Sequence, residues 1–273
     1  MKNAIQVHHL RSRKHALIAA LAGLIPFISG LEAATLTHNS GTTTYSQNFG
    51  NNSLITVNGG QATFTGRVRS KSTIDAFGGT AIFNGRLDNK VTFNIAGGDV
   101  VVNSVKNNAT FDVASGSISL NESIGNSASV NISGGEMNLG TDDVFANNTD
   151  VTMSGGTLDT QGNSVSFDSL TLNGDSTIDL GNNPNSTIDV GTITGGGTVT
   201  FTGFTNTTQV SFNEGSSTVD VGNQVFFGST PATINEDGNI VPVPEPTTII
   251  GGLVLVGFLA GFEIRRRTRR EAA

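Results

Sequence analysis

The chain has 273 residues, a formal net charge of −7 and no cysteine, which excludes disulfide bonds and thiolate chemistry. Residues 35–240 contain six Lys or Arg and eighteen Asp or Glu, and all six cations lie between positions 67 and 106. Because nucleic-acid binding needs cations to neutralise phosphates, so acidic a chain predicts no nucleic-acid partner.

Residues 1–34 have the parts of a secretory signal peptide. A basic region precedes an apolar stretch over residues 16–28, and small residues follow it. We predict cleavage after Ala33 or Ala34. The alternative is a transmembrane anchor, but the apolar stretch is short and Pro26 interrupts it.

Residues 35–240 contain a repeat marked by a Gly-Gly or Ser-Gly pair. The second glycines of successive pairs are separated by 19, 19, 18, 19 and 21 residues. They are Gly60, Gly79, Gly98, Gly116, Gly135 and Gly156. Four columns of positions, five and three residues before this glycine and two and four after it, are apolar in every copy except at Thr160.

A spacing of two on each side of the glycine pair is the period of a β-strand with one face inward. Each copy is therefore predicted to be strand, tight bend, strand and loop, with glycines where φ turns positive. Copies stacked at ~4.8 Å would form parallel ladders around a continuous core. We predict an all-β, right-handed parallel β-helix, or β-solenoid, over residues 35–240. The alternative is a β-sandwich of many hairpins.

After Gly156 the spacing of the copies becomes less regular, but similar short motifs continue. Residues 170–174 look like a seventh copy, and the motif of residues 176–180 recurs at residues 186–190. Residues 170–201 are similar to autotransporter-associated β-strand repeats, a likeness that rests on short motifs.

Both ends of the solenoid are expected to be capped. Residues 36–52, which contain the only tyrosine, Tyr45, are predicted to form one cap. At the other end we predict a hairpin in which residues 225–227 pair with residues 233–234 across a turn. Residues 240–243 would then be a linker to the C-terminal segment.

Three features follow one another in residues 241–273. The motif Pro244-Glu245-Pro246 comes first, and an apolar stretch over residues 249–262 follows it. The chain then has a basic tail of Arg265, Arg266, Arg267, Arg269 and Arg270. This order resembles the PEP-CTERM sorting signal of Gram-negative bacterial surface proteins.

The resemblance implies how the chain would be handled. The Sec translocon and signal peptidase would export it, and a membrane-embedded exosortase would process it at the inner membrane. The product would lie at the cell surface or in the extracellular matrix. Members of this family accompany exopolysaccharide and biofilm loci, so extracellular polysaccharide is an expected partner.

The physics of the apolar stretch fits a sorting signal. Its 14 uncharged residues would span roughly 21 Å as a helix, less than the ~30 Å hydrocarbon core. We predict a transmembrane segment over residues 247–264, with the arginines cytoplasmic and Pro244-Glu245-Pro246 on the outer side. The alternative is a buried C-terminal helix with a basic end.

Side chains suited to catalysis are scarce. Three of the four histidines lie in the signal peptide, so only His38 remains for acid–base or metal chemistry. Paired carboxylates could in principle act as a glycosidase does. The candidates on predicted strands are Asp75, Asp112, Asp159, Asp179 and Asp189. We predict instead that these are solvated turn caps and that the chain has no catalytic residue and no cofactor.

Calcium is the one metal that the acidic composition allows. Asp142-Asp143 and Glu236-Asp237 supply oxygen ligands, but no known calcium-loop pattern occurs in the sequence. We therefore predict no metal site, with the acidity serving solubility.

Two functions follow from these observations. The first is a structural or adhesive surface protein without enzymatic activity. The alternative is a secreted β-helix polysaccharide lyase or hydrolase, whose site would use aspartates alone or the six cations. Arg67, Arg69 and Lys71 form an alternating basic row just after a strand, and we predict it to be a solvated loop.

Overall fold

The structure is a computed structural model and describes residues 32–125, 127–145, 148–204, 210–212, 225–234 and 240–243. Within these residues the chain is all-β and winds into a parallel β-solenoid of about nine turns, as predicted. Residues 1–31 of the predicted signal peptide, which spans residues 1–34, and the predicted transmembrane segment 247–264 lie outside the described residues. The described part contains no helix that is long and apolar enough to cross a membrane.

Twenty strands, numbered in chain order, make up the described part of the fold. Their bounds are β1 Thr35–His38, β2 Thr42–Tyr45, β3 Leu54–Val57, β4 Gln61–Phe64, β5 Thr73–Ala76, β6 Thr80–Phe83, β7 Thr92–Val102, β8 Thr110–Leu120, β9 Ser129–Ile132, β10 Glu136–Leu139, β11 Asp150–Met153, β12 Thr157–Asp159, β13 Val165–Leu172, β14 Ser176–Asp179, β15 Ile188–Gly195, β16 Val199–Thr202, β17 Val210–Phe212, β18 Val225–Phe227, β19 Thr230–Ile234 and β20 Ile240–Pro242.

The strands before and after each bend stack into two parallel ladders. The first side contains β1, β3, β5, β9 and β11, together with the first halves of β7 and β8 and the second halves of β13 and β15. The second side contains β2, β4, β6, β10, β12, β14, β16 and β18, together with the second halves of β7 and β8. Parallel pairing between successive copies excludes a sandwich of hairpins.

The four predicted apolar columns form the core. Every residue in them is buried, including Thr160, whose side chain is 0% exposed. Val102 and Leu120, one turn apart, are register partners and both face inward. Since strand side chains alternate between the two faces, the polar residues between these columns face outward.

A third side of the solenoid lies where we predicted only a loop. Phe49, Val68, Leu87 and Val105 are buried, and parallel β-bridges join each to the next. The first halves of β13 and β15, followed by β17, continue this side. The sequence carries its signal, because Val68 and Leu87 each come eight residues after the marker glycine.

The turns differ in length along the chain. Leu170 pairs with Val151 and Leu172 with Met153, which confirms the seventh copy. The next turn is longer, since Leu170 pairs with Ile193, 23 residues away. Residues 176–180 and 186–190 consequently do not stack as copies but lie on the second and third sides of one turn.

Both caps are more regular than predicted. The segment 36–52 is a complete first turn whose Leu36 and Tyr45 pair with Ile55 and Phe64. A C-terminal hairpin is present, because β18 and β19 pair antiparallel, but the predicted partners are wrong: residues 226–227 pair with residues 230–231 rather than with 233–234. The predicted linker is wrong, since β20 adds a third antiparallel strand through Ile234 and Ile240.

Candidate functional site

The terminal signals fall at or beyond the limits of the described residues. The predicted sorting motif Pro244-Glu245-Pro246 and the basic tail over residues 265–270 lie outside them. Ala33 is exposed, and the first turn begins at Ala34. The Ala34 N–H donates to Ser53 Oγ (3.0 Å), and the Ala34 carbonyl accepts from the Leu54 N–H (2.8 Å). Cleavage after Ala33 would keep both bonds, whereas cleavage after Ala34 would remove both.

Of the five candidate aspartates, the fold brings only two into register. Asp159 and Asp179 are partners on β12 and β14. Asn94 separates Asp75 from Asp112 and donates to Asp75 Oδ1 at 2.7 Å. Asp189 pairs instead with serines on the neighbouring turns. Asp159 and Asp179 are therefore the one carboxylate pair among these candidates.

Both members of this pair cap turns. Asp159 Oδ1 accepts from the Gln161 N–H at 2.7 Å, and Asp179 Oδ1 accepts from the Gly181 N–H at 2.9 Å. Burial raises the pKa of Asp159. The hydrogen bond from the Gln161 N–H opposes this rise, and the charges of Asp179 and Glu136 add smaller upward contributions. A carboxyl with a raised pKa is a feature of general acids, but the turn caps account for both positions.

His38 and Tyr45 are both buried in the first turn. His38 Nδ1 lies 3.2 Å from the Tyr45 hydroxyl, and Nε2 lies 3.4 Å from the Gly41 carbonyl oxygen. Burial also raises the pKa of Tyr45. These contacts give the remaining histidine a structural place in the core.

Of the two acidic pairs weighed as calcium ligands, only Asp142-Asp143 lies in the described residues. Asp142 accepts from the Ser164 N–H at 2.8 Å, and Glu236-Asp237 lies outside the described residues. In the part of the chain that the structure describes, no group of three or more acidic, His or Cys side chains could hold a metal ion.

The six cations lie together on the third side. We call Arg67, Arg69, Lys71, Arg86, Lys90 and Lys106 the basic stripe. Arg67 Nε donates to both carboxylate oxygens of Asp88 at 2.9 and 2.8 Å, and Arg86 Nε lies 3.2 Å from Asp88 Oδ1. The predicted row of Arg67, Arg69 and Lys71 is thus part of a larger surface, which sequence reasoning missed because the third side was unrecognised.

Known proteins provide no closer identification of this surface. No family model matches the chain, and neither the curated proteins nor the solved structures contain a significant match. The functional assignment therefore depends on the terminal sequence signals and on the geometry of the described turns.

Proposed function

We propose that this chain is an exported structural or adhesive surface protein, sorted by an exosortase and associated with extracellular polysaccharide. The observation that carries the proposal is the order of features after residue 243. Pro244-Glu245-Pro246 is followed by an uncharged stretch over residues 249–262 and then by the arginines of residues 265–270.

Each feature has a physical role in this proposal. The arginines stay cytoplasmic, so the motif is presented on the outer side of the inner membrane. The apolar stretch is shorter than a helix needs to span the hydrocarbon core as a permanent anchor. A short stretch is compatible with a segment that is removed or exchanged. The N-terminal signal peptide supplies entry to the Sec translocon and ends at Ala33 or Ala34.

The solenoid suits a structural role. Its core runs through every described turn, and its outward rows are rich in Thr, Ser, Asn and Asp. Asn side chains bond between turns, as in Asn103 to Asn84 and Asn121 to Asn103, each at 2.9 Å. Such a fold keeps its shape without disulfides, and we propose that it winds right-handed, as parallel crossovers generally do.

Processing tests the sorting proposal. In a host with an exosortase, mass spectrometry of surface-extracted protein should find no peptide beyond about Thr248. Replacing Glu245 and Pro246 by Ala should leave the C-terminal segment attached, while Pro242→Ala, just outside the motif, should be processed normally. Abundant surface protein that retains Arg265–Arg270 would overturn the proposal.

A second candidate function is the polysaccharide-active enzyme, because Asp159 and Asp179 lie on adjacent turns. No Lys or Arg occurs between residues 107 and 240 to stabilise a transition state near them. We expect the purified chain to cleave no acidic or neutral glycan. If it did, and if Asp179→Asn or Arg69→Ala abolished cleavage without unfolding the protein, the enzyme would replace the structural role.

A further inference from the structure

The basic stripe is a stacked array rather than a loop with scattered charges. The N–H groups of Arg69, Asp88 and Lys106 donate to the carbonyls of Phe49, Val68 and Leu87, respectively, one turn earlier. This pattern places Arg69, Asp88 and Lys106 above one another at the ~4.8 Å spacing of parallel strands.

Two further rows of cations flank this row. Arg67 and Arg86 precede Val68 and Leu87, which form a parallel bridge, so they stack on one flank. Lys71 and Lys90 lie on the other flank, with φ of 61° and 60°. Both lysines are exposed, as are Arg86 and Lys106.

One carboxylate leaves most of this charge unneutralised. Asp88 is buried and binds Arg67 and Arg86. Asp75 and Asp99 belong to the first and second sides, respectively. Among the described residues, Arg69, Lys71, Lys90 and Lys106 have no carboxylate oxygen within 4.0 Å. Six cations and one carboxylate give the stripe a net charge of +5.

Arg69 has a side-chain donor that lacks a hydrogen-bond partner. The residue is only half-buried, but its Nε atom is enclosed and makes no hydrogen bond in the described structure. A buried donor without a partner destabilises the protein. The guanidinium of Arg69 also has no carboxylate oxygen within 4.0 Å among the described residues, so its charge is not neutralised locally.

We propose that the basic stripe binds an acidic polysaccharide whose sugars carry carboxylates. This proposal rests on the proposed surface function and specifies its partner. A pyranose in an extended chain is about as long as the ~4.8 Å rise between turns, so successive uronate groups could meet successive turns. Arginine and lysine both bind carboxylates through charge-assisted hydrogen bonds.

Charge density favours a polysaccharide over nucleic acid. Duplex DNA carries one charge per ~1.7 Å, and the fifteen acidic residues between positions 107 and 240 would repel so dense a polyanion. Sites for single strands also use exposed aromatic rings for stacking. The large exposed aromatic among the described residues is Phe77, which follows β5 on a different side.

Binding by the full chain, purified in a non-ionic detergent, tests the proposal. Polygalacturonate should bind and dextran should not, and added salt should weaken binding because it screens exposed charges. Lys71→Gln with Lys90→Gln should weaken binding by about two- to thirtyfold, the effect of two exposed ion pairs. Thr73→Gln with Thr92→Gln places the same side chains on the first side and should leave binding unchanged.

Three binding results would overturn or replace the proposal. Equal binding by the lysine double variant and the unchanged chain would overturn the proposal, as would absence of binding to polygalacturonate. Tighter binding to duplex DNA of the same total charge would replace the polysaccharide with nucleic acid. Surface sorting is measured independently through C-terminal processing, so failure of the binding proposal can be distinguished from failure of the proposed surface function.

Discussion

The rings of Phe64 and Phe83 stack in parallel, with centroids 4.6 Å apart and 8° between their planes. The two residues are partners on β4 and β6, one turn apart. Because the ~4.8 Å spacing of parallel strands is close to the distance of ring stacking, identical aromatic residues in one column stack automatically. Tyr45 continues this stack onto the first turn at 5.2 Å.

The stack predicts a measurable coupling energy. In a double-mutant cycle with Phe64→Leu and Phe83→Leu, we expect the two losses of stability to be non-additive by about 0.5–1.5 kcal/mol. Urea unfolding of the four proteins supplies the measurement. Phe64→Leu with Phe201→Leu, whose residues lie far apart along the solenoid, is the additive control. Equal additivity in both cycles would contradict stacking.

The inward and outward rows predict opposite effects for neighbouring substitutions. Leu120 is fully buried and Ser119 faces outward. Leu120→Asp would bury an unpaired carboxylate and should lower the free energy of unfolding by about 3–5 kcal/mol. Ser119→Asp should change it by less than about 0.5 kcal/mol. Similar losses at the two positions would refute the alternation.

Two glycines separate backbone strain from crowding between turns. Gly41 and Gly79 have φ of 79° and 71°. A β-carbon at Gly41 would meet no atom within 4 Å, whereas at Gly79 it would overlap the Gly60 carbonyl oxygen. Gly41→Ala should cost about 1–2 kcal/mol for its left-handed conformation, and Gly79→Ala about 1–3 kcal/mol more. Thermal unfolding tests this order, and equal losses would show that the turns are not closely stacked here.

Thr160 is a polar residue in an apolar column. Its side chain is completely buried, and its hydroxyl makes no hydrogen bond in the described structure. Thr160→Val keeps the shape and removes the unpaired hydroxyl, so stability should rise by about 1 kcal/mol. Thr157→Val, on the outward face of β12 just before Thr160, is the matched control and should have little effect. A destabilised Thr160→Val protein would show that the hydroxyl has a partner.

Asp159 predicts a dependence of stability on pH. Burial raises its pKa above the ordinary value of 3.8 in the folded state, so the folded chain holds the proton more tightly than the unfolded chain. The resulting stabilisation is complete below pH 3.8 and is lost as the pH rises through the raised pKa.

Asp159→Asn should therefore stabilise the protein at pH 7 while leaving it nearly unchanged at pH 3. The gain should stay below about 1 kcal/mol because solvent screens this half-buried group. The amide oxygen can still accept the hydrogen bond from Gln161. Unfolding by urea at the two pH values measures the difference, and an equal effect at both would contradict the raised pKa.

The sequence alone determined the local parts of this fold. Apolar residues two positions apart around Gly60 and Gly79 specify strand, bend and strand, because side-chain alternation and glycine φ act over a few residues. Regular recurrence of that pattern also determined the stacking, since one unit cannot bury its apolar face alone. The proposed export and sorting signals are likewise short linear patterns, which is why they could be proposed from the sequence.

Only the tertiary structure decided the third side and what lies on it. Val68 and Leu87 contribute one apolar residue per turn, which leaves no alternation to read. The bond between Arg67 and Asp88, 21 residues apart, and the register of Asp159 with Asp179 both depend on the exact length of each turn. The length of each turn decides which residues of successive turns become neighbours when the turns stack. A surface built from single residues of successive turns therefore exists only once the solenoid has formed.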